Sequence, residues 1–231
     1  KMSIPEKMLC WPLFGAGMEK LGKNDQPCEV PVPEPGDDEL LVKIEAIGLC
    51  FSDVKLIRAG EEHPRVISEN LETDPVIPGH EAVMQVVKAG KNVGDQYPVG
   101  KRYIIQADIY VKGVGLAYGY AIDGGMAQYS LIDQRVLNGD EGSYLLPIKE
   151  ETPGAVAALM EPWTCVKASY MIENRTKPKA GGKMLIVCEP GCEIVYAAGG
   201  LLQKYQPAEI VLVNGSKDQA EALKAELPNA T

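Results

Sequence analysis

The stretch LLVKIEAIGLCFSD, residues 40–53, alternates apolar and charged side chains and ends in three groups that can take part in chemistry. Successive side chains point to opposite faces of an extended strand, so this alternation predicts a half-buried β-strand. The face predicted to be buried carries Val42, Ile44 and Ala46, and the other face carries Lys43 and Glu45. Cys50, Ser52 and Asp53 follow, so a thiol, a hydroxyl and a carboxylate are predicted to lie together where the strand ends.

The same alternation of apolar and polar residues continues on both sides of this strand. Short alternating runs, such as EAVMQVVKAG at 81–90, recur from residue 30 to about residue 148. Gly- and Pro-containing turns separate them, for example PEPGDD at 33–38 and AIDGG at 121–125. This spacing predicts a small, partly closed β-barrel.

The pattern changes in the last third of the chain. Ala-rich helical spacing predicts a helix from about residue 153 to 174, with Pro162 tolerable in a first helical turn. The apolar runs at 184–187 and 210–213 are typical of strands in a parallel sheet covered on both faces.

The predicted fold class is therefore α/β with a β-rich domain. A barrel is expected in residues 1–165, and an incomplete, doubly wound parallel sheet in residues 166–231. Because two parallel strands cannot cover themselves, we expect the chain to be part of a longer one.

Composition excludes several functional classes. With 23 Lys and Arg against 32 Asp and Glu, the net charge of −9 offers no basic field for nucleic acid. No run approaches the roughly 18 apolar residues of a membrane span, and no secretory signal is recognisable. The six cysteines are too scattered for a disulfide scaffold. We therefore expect a cytoplasmic protein with reduced thiols and neither a nucleic-acid nor a membrane partner.

Four short motifs carry a family resemblance. GLCFSD at 48–53, PGHE at 78–81, GGMAQY at 124–129 and MEPW at 160–163 occur in an order and at separations that resemble the zinc-containing medium-chain dehydrogenase/reductase family, in particular its sorbitol (polyol) dehydrogenase-like branch. The similarity covers most of residues 30–215. It implies a GroES-like barrel followed by a Rossmann dinucleotide-binding domain.

The resemblance implies one catalytic zinc. Such a zinc takes three protein ligands and keeps a fourth position open. Cys50, His80 and Glu161 supply one sulfur, one nitrogen and one oxygen ligand, and Glu161 matches the family position better than Cys165 does. No structural zinc is expected, because residues 89–130 contain no cysteine.

The resemblance also assigns roles around the metal. Asp53 would orient His80 through its other ring nitrogen. Glu81 would lie behind the metal, within reach of it. Ser52 would pass the substrate proton outward, although many relatives carry a histidine where this chain has Lys55. His63 is an alternative for the outer proton route.

The nucleotide-binding motif departs from the family pattern. Relatives carry G-x-G-P-x-G after the first strand of the sheet, whereas IVCEPGCE at 186–193 retains Gly191 alone and adds two acidic residues. After the second strand, Gly215, Ser216 and Lys217 resemble a pattern of NADP-preferring relatives, so NADP(H) is preferred over NAD(H). The alternative is a Gly-Ser turn followed by a solvated lysine.

The sequence therefore predicts a zinc- and NAD(P)-dependent alcohol or polyol dehydrogenase, or ketose reductase. By resemblance, its small-molecule partner is a polyol, a ketose or a sugar phosphate such as sorbose 1-phosphate, and it forms a homo-dimer or homo-tetramer. One alternative is a catalytically silent or truncated zinc-binding family member that cannot hold a dinucleotide. Another is a zinc-free enzyme resembling quinone reductases, which the three candidate ligands argue against.

Overall fold

The computed structural model describes residues 3–171 and 177–227 of the chain. The contacts between Cα atoms divide the chain into two compact units, Lys1–Thr164 and Cys165–Thr231. No helix within the described ranges is both long and apolar enough to cross a membrane.

The first unit is built around an antiparallel sheet. Its strands are β1 (Lys7–Cys10), β2 (Cys28–Pro31), β3 (Leu40–Gly48), β4 (Glu81–Ala89), β5 (Arg102–Ile105), β6 (Asp108–Val111), β7 (Val114–Ala117), β8 (Tyr129–Ile132) and β9 (Leu145–Pro147). The main sheet has the strand order β8-β3-β4-β5-β9, while β1 pairs with β2 and β6 pairs with β7. Its main core contains Leu40, Val42, Met84, Val86, Ile105, Ile109, Tyr118 and Ile132.

Strand β3 confirms the predicted strand but not its strict alternation. Its register against β4 shifts between Leu41 and Val42 and again between Ile44 and Ala46. The second shift leaves Glu45 as an extra residue, which is the arrangement of a β-bulge. Period-two alternation cannot anticipate a bulge, because one inserted residue reverses the faces of everything after it.

The helices of the first unit are short. They are α1 (Phe51–Ala59), α2 (Gln134–Leu137), α3 (Gly154–Ala158) and α4 (Met160–Ser169), of which the last continues past the boundary between the units. The single helix predicted over 153–174 is therefore two helices with a turn at Leu159, and its predicted end lies outside the described residues. Pro162 explains the interruption, because it has no N–H to donate to the carbonyl of Ala158.

Arg102 forms hydrogen bonds both with the bulge of β3 and with the segment that leads into α3. Its Nε lies 3.1 and 3.0 Å from the two carboxylate oxygens of Glu45, and its Nη2 lies 2.6 Å from one of them. Its Nη1 donates to the carbonyls of Glu150 and Thr152 at 2.8 Å. The guanidinium thus donates to the carboxylate of Glu45 and to the backbone carbonyls of Glu150 and Thr152, which lie far from Glu45 in the sequence.

Replacing Arg102 with methionine is expected to lower the free energy of unfolding by about 2–3 kcal/mol. The carboxylate of Glu45 and the two backbone carbonyls would then lose their hydrogen-bond donor together. Urea denaturation followed by circular dichroism measures the loss. Lys101→Met is the matched control, since the side chain of Lys101 makes an exposed ion pair of 3.7 Å with Glu150, and its loss should cost less than about 1 kcal/mol. Equal losses for the two variants would show that the network contributes nothing specific.

The second unit contains the predicted parallel pair. Strands β10 (Lys183–Val187) and β11 (Glu209–Val213) run parallel in continuous register, and α5 (Leu201–Tyr205) lies between them in sequence. Helix α6 (Lys217–Glu226) follows and is capped by Ser216, whose hydroxyl accepts from Gln219 N at 3.0 Å. The predicted cover on both faces is not seen within the described residues: the side chains exposed on one face are Leu185, Val187, Val211 and Val213.

Candidate metal centre

The candidate metal centre forms where β3 ends and β4 begins. Gly48 pairs with Glu81 across the two strands, and Cys50 is the N-cap of α1. The backbone N of Cys50 donates to Asp53 Oδ2 at 2.9 Å. Strand pairing therefore brings a residue from PGHE beside GLCFSD, and the helix cap holds Cys50 and Asp53 in one turn.

Cys50, His80 and Glu81 come close enough to share one metal ion. One ligand atom from each, a thiol sulfur, a ring nitrogen and a carboxylate oxygen, lies within 4.8 Å of the other two. His80 and Glu81 are 7% and 4% exposed, and Cys50 is half-buried. Sulfur, nitrogen and oxygen donors in this number fit a catalytic zinc, which keeps one position open.

Asp53 contacts the ring of His80. Its Oδ1 lies 3.2 Å from His80 Nδ1, and the carboxylate is only 3% exposed. With Nδ1 directed at a carboxylate, Nε2 is the ring atom left for a metal. Burial lowers the pKa of His80, but the hydrogen bond and charge of Asp53, together with those of Cys50, outweigh burial and raise it to about 9.

Zinc binding is expected to release a proton from His80 and to strengthen as the pH rises towards 9. The folded-state pKa of His80 is about 9, above the unfolded value of about 6.5. The ion pair with Asp53 therefore stabilises the metal-free fold below pH 6.5, and this contribution is lost as the pH rises through about 9. Calorimetry in buffers of different ionisation enthalpy counts the released protons. Zinc affinity that stays constant over this range would contradict the expectation.

The glutamate that lies beside Cys50 and His80 in the structure is not the one predicted from the sequence. Glu161, the predicted ligand, is half-buried at the start of α4 and lies outside the group of three. It is nevertheless close: burial raises the pKa of Glu81, and the charge of Glu161 raises it further. Glu81, predicted to lie behind the metal, stands in the group because strand pairing holds it beside Gly48. The role of Glu161 as a ligand stays a prediction.

Gly48 makes room for Glu81. A Cβ added at Gly48 would lie 1.9 Å from Glu81 Oε2 and 3.0 Å from its Cβ and Cδ. Gly48→Ala is thus expected to push the Glu81 carboxylate out of the group and to weaken zinc binding by about tenfold or more. Competition with a chromophoric chelator measures the affinity. Gly36→Ala, at an exposed turn where the nearest atom is 3.2 Å away, is the control, and equal affinity in both variants would contradict the prediction.

The GGMAQY and PGHE motifs are held together by backbone hydrogen bonds. Gly125 N donates to Gly79 O at 2.7 Å, and Met126 N donates to Pro78 O at 2.9 Å. Gly79 has a φ of +96°, and a Cβ there would lie 2.9 Å from Met126 N. Because Gly79 precedes His80, this pairing fixes the direction in which the histidine leaves the backbone.

Tyr120 lies beside the centre, and the sequence did not indicate it. Its ring centroid lies 5.8 Å from that of His80 and 5.0 Å from that of His63. Burial, followed by the charge of Asp53, raises the pKa of Tyr120 to about 12, against a hydrogen bond from Ser52 that lowers it. The structure thus brings Ser52, Tyr120 and His63 together on one side of His80. The only signal was that Tyr120 occurs shortly before GGMAQY.

The predicted cofactor residues lie at one edge of the second unit. Gly191 follows β10, and Gly215, Ser216 and Lys217 follow β11, so both groups stand at the carboxyl ends of parallel strands, where such sheets bind ligands. Gly191 has a φ of +80° with open space around it. However, α5 begins only at Leu201. A helix N-terminus directly after the glycine turn, as a pyrophosphate site requires, is absent from this described segment.

A cavity of about 410 Å³ lies beside the same strand end. Cys188, Glu189, Cys192 and Tyr196 contribute to its lining, together with the apolar side chains of β10 and α6. Ligand cavities are commonly apolar with a few polar groups, so this one suits an apolar organic group better than a phosphate.

Sequence comparisons agree with the motifs. The family model of the alcohol dehydrogenase GroES-like domain matches residues 36–138. The mannitol-1-phosphate 5-dehydrogenase of Aliivibrio fischeri is 30% identical over 216 residues, which are 85% of this chain and 48% of that protein. The L-sorbose 1-phosphate reductase of Klebsiella pneumoniae is 30% identical over 152 residues, which are 64% of this chain and 36% of that protein. The chain therefore spans no more than about half the length of these relatives.

A solved structure agrees with the fold. A protein described as a zinc-binding dehydrogenase from Sinorhizobium meliloti 1021, bound to NADP, superposes with a TM-score of 0.60 at 24% identity. The match covers 98% of this chain and 61% of that chain. The predicted α/β class with a GroES-like barrel is confirmed.

Proposed function

Because the chain belongs to the medium-chain dehydrogenase/reductase family, we propose that it is a zinc-dependent oxidoreductase that interconverts a secondary alcohol and a ketone with a nicotinamide cofactor. The observation that carries this proposal is the group of Cys50, His80 and Glu81 with Asp53 behind the histidine. A half-buried thiol, a buried imidazole and a buried carboxylate beside an orienting carboxylate suit a catalytic metal better than a structural one.

The residues of this chain would have separate roles in metal binding and proton transfer. Cys50, His80 and a glutamate, Glu81 or Glu161, would hold the metal. Bound zinc would supply a Lewis acid for the substrate oxygen, and a nicotinamide would supply the hydride acceptor or donor. The Ser52 hydroxyl would carry the substrate proton away from that oxygen. Tyr120, whose pKa Ser52 lowers, lies beside this hydroxyl.

The proposed substrates are polyols, ketoses and sugar phosphates. Two of the relatives above are named for a phosphorylated polyol and a phosphorylated ketose. A dimer or tetramer in the cytoplasm is part of the same proposal.

NADP(H) is the proposed cofactor, in preference to NAD(H). Gly215, Ser216 and Lys217 follow β11, where an acidic residue would favour the ribose hydroxyl of NAD. Lys217 instead offers a positive charge for the 2′-phosphate. The hydroxyl of Ser216 caps α6 as an acceptor and keeps its own proton to donate.

Two measurements test the proposal. Elemental analysis of the purified chain is expected to give close to one zinc per chain, and a chain that retains no zinc would refute the metal-dependent reaction and favour the zinc-free reductase. A fluorescence titration with NADPH and NADH is then expected to show binding, tighter for NADPH. Binding of zinc with neither nucleotide would instead identify a silent metal-binding member.

A further inference from the structure

Two cysteines face each other across the strand pair β1 and β2. Cys10 is the last residue of β1 and Cys28 is the first residue of β2, and the two are direct partners in the antiparallel register. Opposed residues of an antiparallel pair have Cα atoms about 4.5 or 5.5 Å apart. Disulfides span Cα separations of roughly 4.4–6.8 Å. The backbone therefore already has the spacing that a disulfide between Cys10 and Cys28 requires.

The two cysteine side chains lie on the same, inward side of this strand pair. Opposed residues of a ladder point to one side, and every second residue along a strand shares that side. Met8 and Val30 are the next opposed pair on it, and they pack within one apolar cluster. The sulfur of Cys10 lies 3.8 Å from the carbonyl oxygen of Cys28. Closure of a disulfide thus needs a rotation of side chains and no shift of the backbone.

The two thiols differ in their access to solvent. Cys10 is 1% exposed, whereas Cys28 is half-buried. Burial, and then the charges of Cys28 and Asp123, raise the pKa of Cys10 to about 11. Cys10 is therefore a neutral thiol at pH 7 and is poorly reactive towards dissolved reagents. A dissolved oxidant reaches Cys28 first, and Cys10 has to reach only the sulfur of Cys28.

The proximity of Cys10 to Cys28 offsets its weak ionisation. A thiol with a pKa of about 11 is ionised in about one molecule in 10,000 at pH 7. Groups held in a reactive geometry behave as if their concentration were very high, about 10⁵ M or more in well-oriented cases. Because the second factor is the larger, Cys10 competes with dissolved thiols for an oxidised Cys28.

We propose that Cys10 and Cys28 form a reversible oxidation site, at which hydrogen peroxide converts Cys28 to a sulfenic acid and Cys10 then closes a disulfide with it. In the first step the Cys28 sulfur takes one oxygen atom from peroxide, and a water molecule leaves. In the second step the Cys10 sulfur attacks the Cys28 sulfur, the S–O bond breaks, and the hydroxyl group leaves as water with the proton of Cys10. The two sulfurs together lose two electrons, which the peroxide accepts. The site goes beyond the proposed oxidoreductase activity and does not depend on it, because neither cysteine belongs to the metal centre.

Peptide mapping of the purified chain tests this site. The chain is treated with hydrogen peroxide, the remaining thiols are blocked with iodoacetamide, and the product is digested with trypsin. Trypsin cuts after Lys20 and Lys23, which separates the peptide of Cys10 from the peptide of Cys28. We expect mass spectrometry to find these two peptides joined, and dithiothreitol to separate them.

Three variants assign the steps to the two cysteines. Cys28→Ser is expected to leave Cys10 as a free thiol at peroxide concentrations that oxidise the unmodified chain, because Cys10 is buried. Cys10→Ala, which keeps the buried position apolar, should stop at the sulfenic acid of Cys28, which dimedone traps. Cys188→Ser is the matched control, since Cys188 is half-buried like Cys28 but lies in the second unit, and it should leave the cross-linked peptides unchanged.

The melting temperature gives a second readout. A disulfide that closes residues 10–28 restricts the unfolded chain, and we expect the oxidised chain to melt about 5–10 °C above the reduced chain. Cys28→Ser should show no such shift. The inference is overturned if Cys28 proceeds to a sulfinic acid while Cys10 still reacts with iodoacetamide, if either cysteine joins a different one, or if Cys28→Ser shows the same shift as the unmodified chain. These readouts do not require zinc or activity, so their failure leaves the proposed function untouched.

Discussion

Replacing Cys50 with serine is expected to abolish tight zinc binding and, with it, any dehydrogenase activity. Zinc prefers a thiolate to a neutral hydroxyl, and Cys50 is the one sulfur in the group with His80 and Glu81. If about 10 kcal/mol of binding free energy is shared among the ligands, losing one costs about 3 kcal/mol, or roughly a hundredfold in affinity. Elemental analysis after dialysis measures the retained metal.

Cobalt substitution gives a second readout of Cys50 that does not depend on activity. The unmodified chain loaded with Co²⁺ is expected to show a thiolate-to-metal charge-transfer band, and Cys50→Ser should lack it. Cys28→Ser is the control, because Cys28 is also half-buried and stands outside the group. A charge-transfer band that persists in Cys50→Ser and vanishes in another cysteine variant would place the metal elsewhere.

The local part of this site was predictable from sequence. Cys50 and Asp53 lie in one helical turn directly after a strand, so the strand signal and the cap together fix their proximity. Asp53 and His80 meet because β3 and β4 pair, and this contact was expected only from the family resemblance of GLCFSD and PGHE. Spacing along the chain was sufficient where a single helical turn determines the geometry.

The remainder depends on packing that a pattern does not encode. Tyr120 lies beside His80 because the preceding Gly119 packs directly against the backbone of Gly79 and His80. The break at Leu159 follows from a missing N–H three residues later, at Pro162, and the bulge at Glu45 follows from a register shift. Each of these features depends on one atom or one residue. A hydrophobic pattern is averaged over many residues and therefore does not detect them.

The second unit shows the same limit. Its two apolar runs form the expected parallel strands β10 and β11. Helix α5 begins only at Leu201 because residues 188–200 contain three glycines and a proline, which favour turns. Composition located the strands, but the path of the loop between them decides how a dinucleotide could be held.

Glu81→Gln is expected to weaken zinc binding by about ten- to a hundredfold, and Glu161→Gln by less than about threefold. The two glutamates are a matched pair, because each loses one negative charge near the same centre. Only Glu81 lies in the group with Cys50 and His80. Removing Glu161 also removes a charge that raises the pKa of Glu81, which makes Glu81 easier to ionise and offsets part of the loss of attraction.

Chelator competition on both variants at pH 7 and pH 9 decides between the two carboxylates. If Glu81 is the ligand, Glu81→Gln loses affinity at both pH values, because an amide does not replace a carboxylate ligand at either. Glu161→Gln should instead come closest to the unmodified chain at the lower pH, where easier ionisation of Glu81 matters most. The reverse order, with the larger loss in Glu161→Gln, would restore the ligand predicted from MEPW and require Glu161 to move towards Cys50 and His80 when the metal binds. In that case Glu81 would be the group behind the metal, and Gly48→Ala should leave zinc affinity unchanged, so the three variants together assign both glutamates.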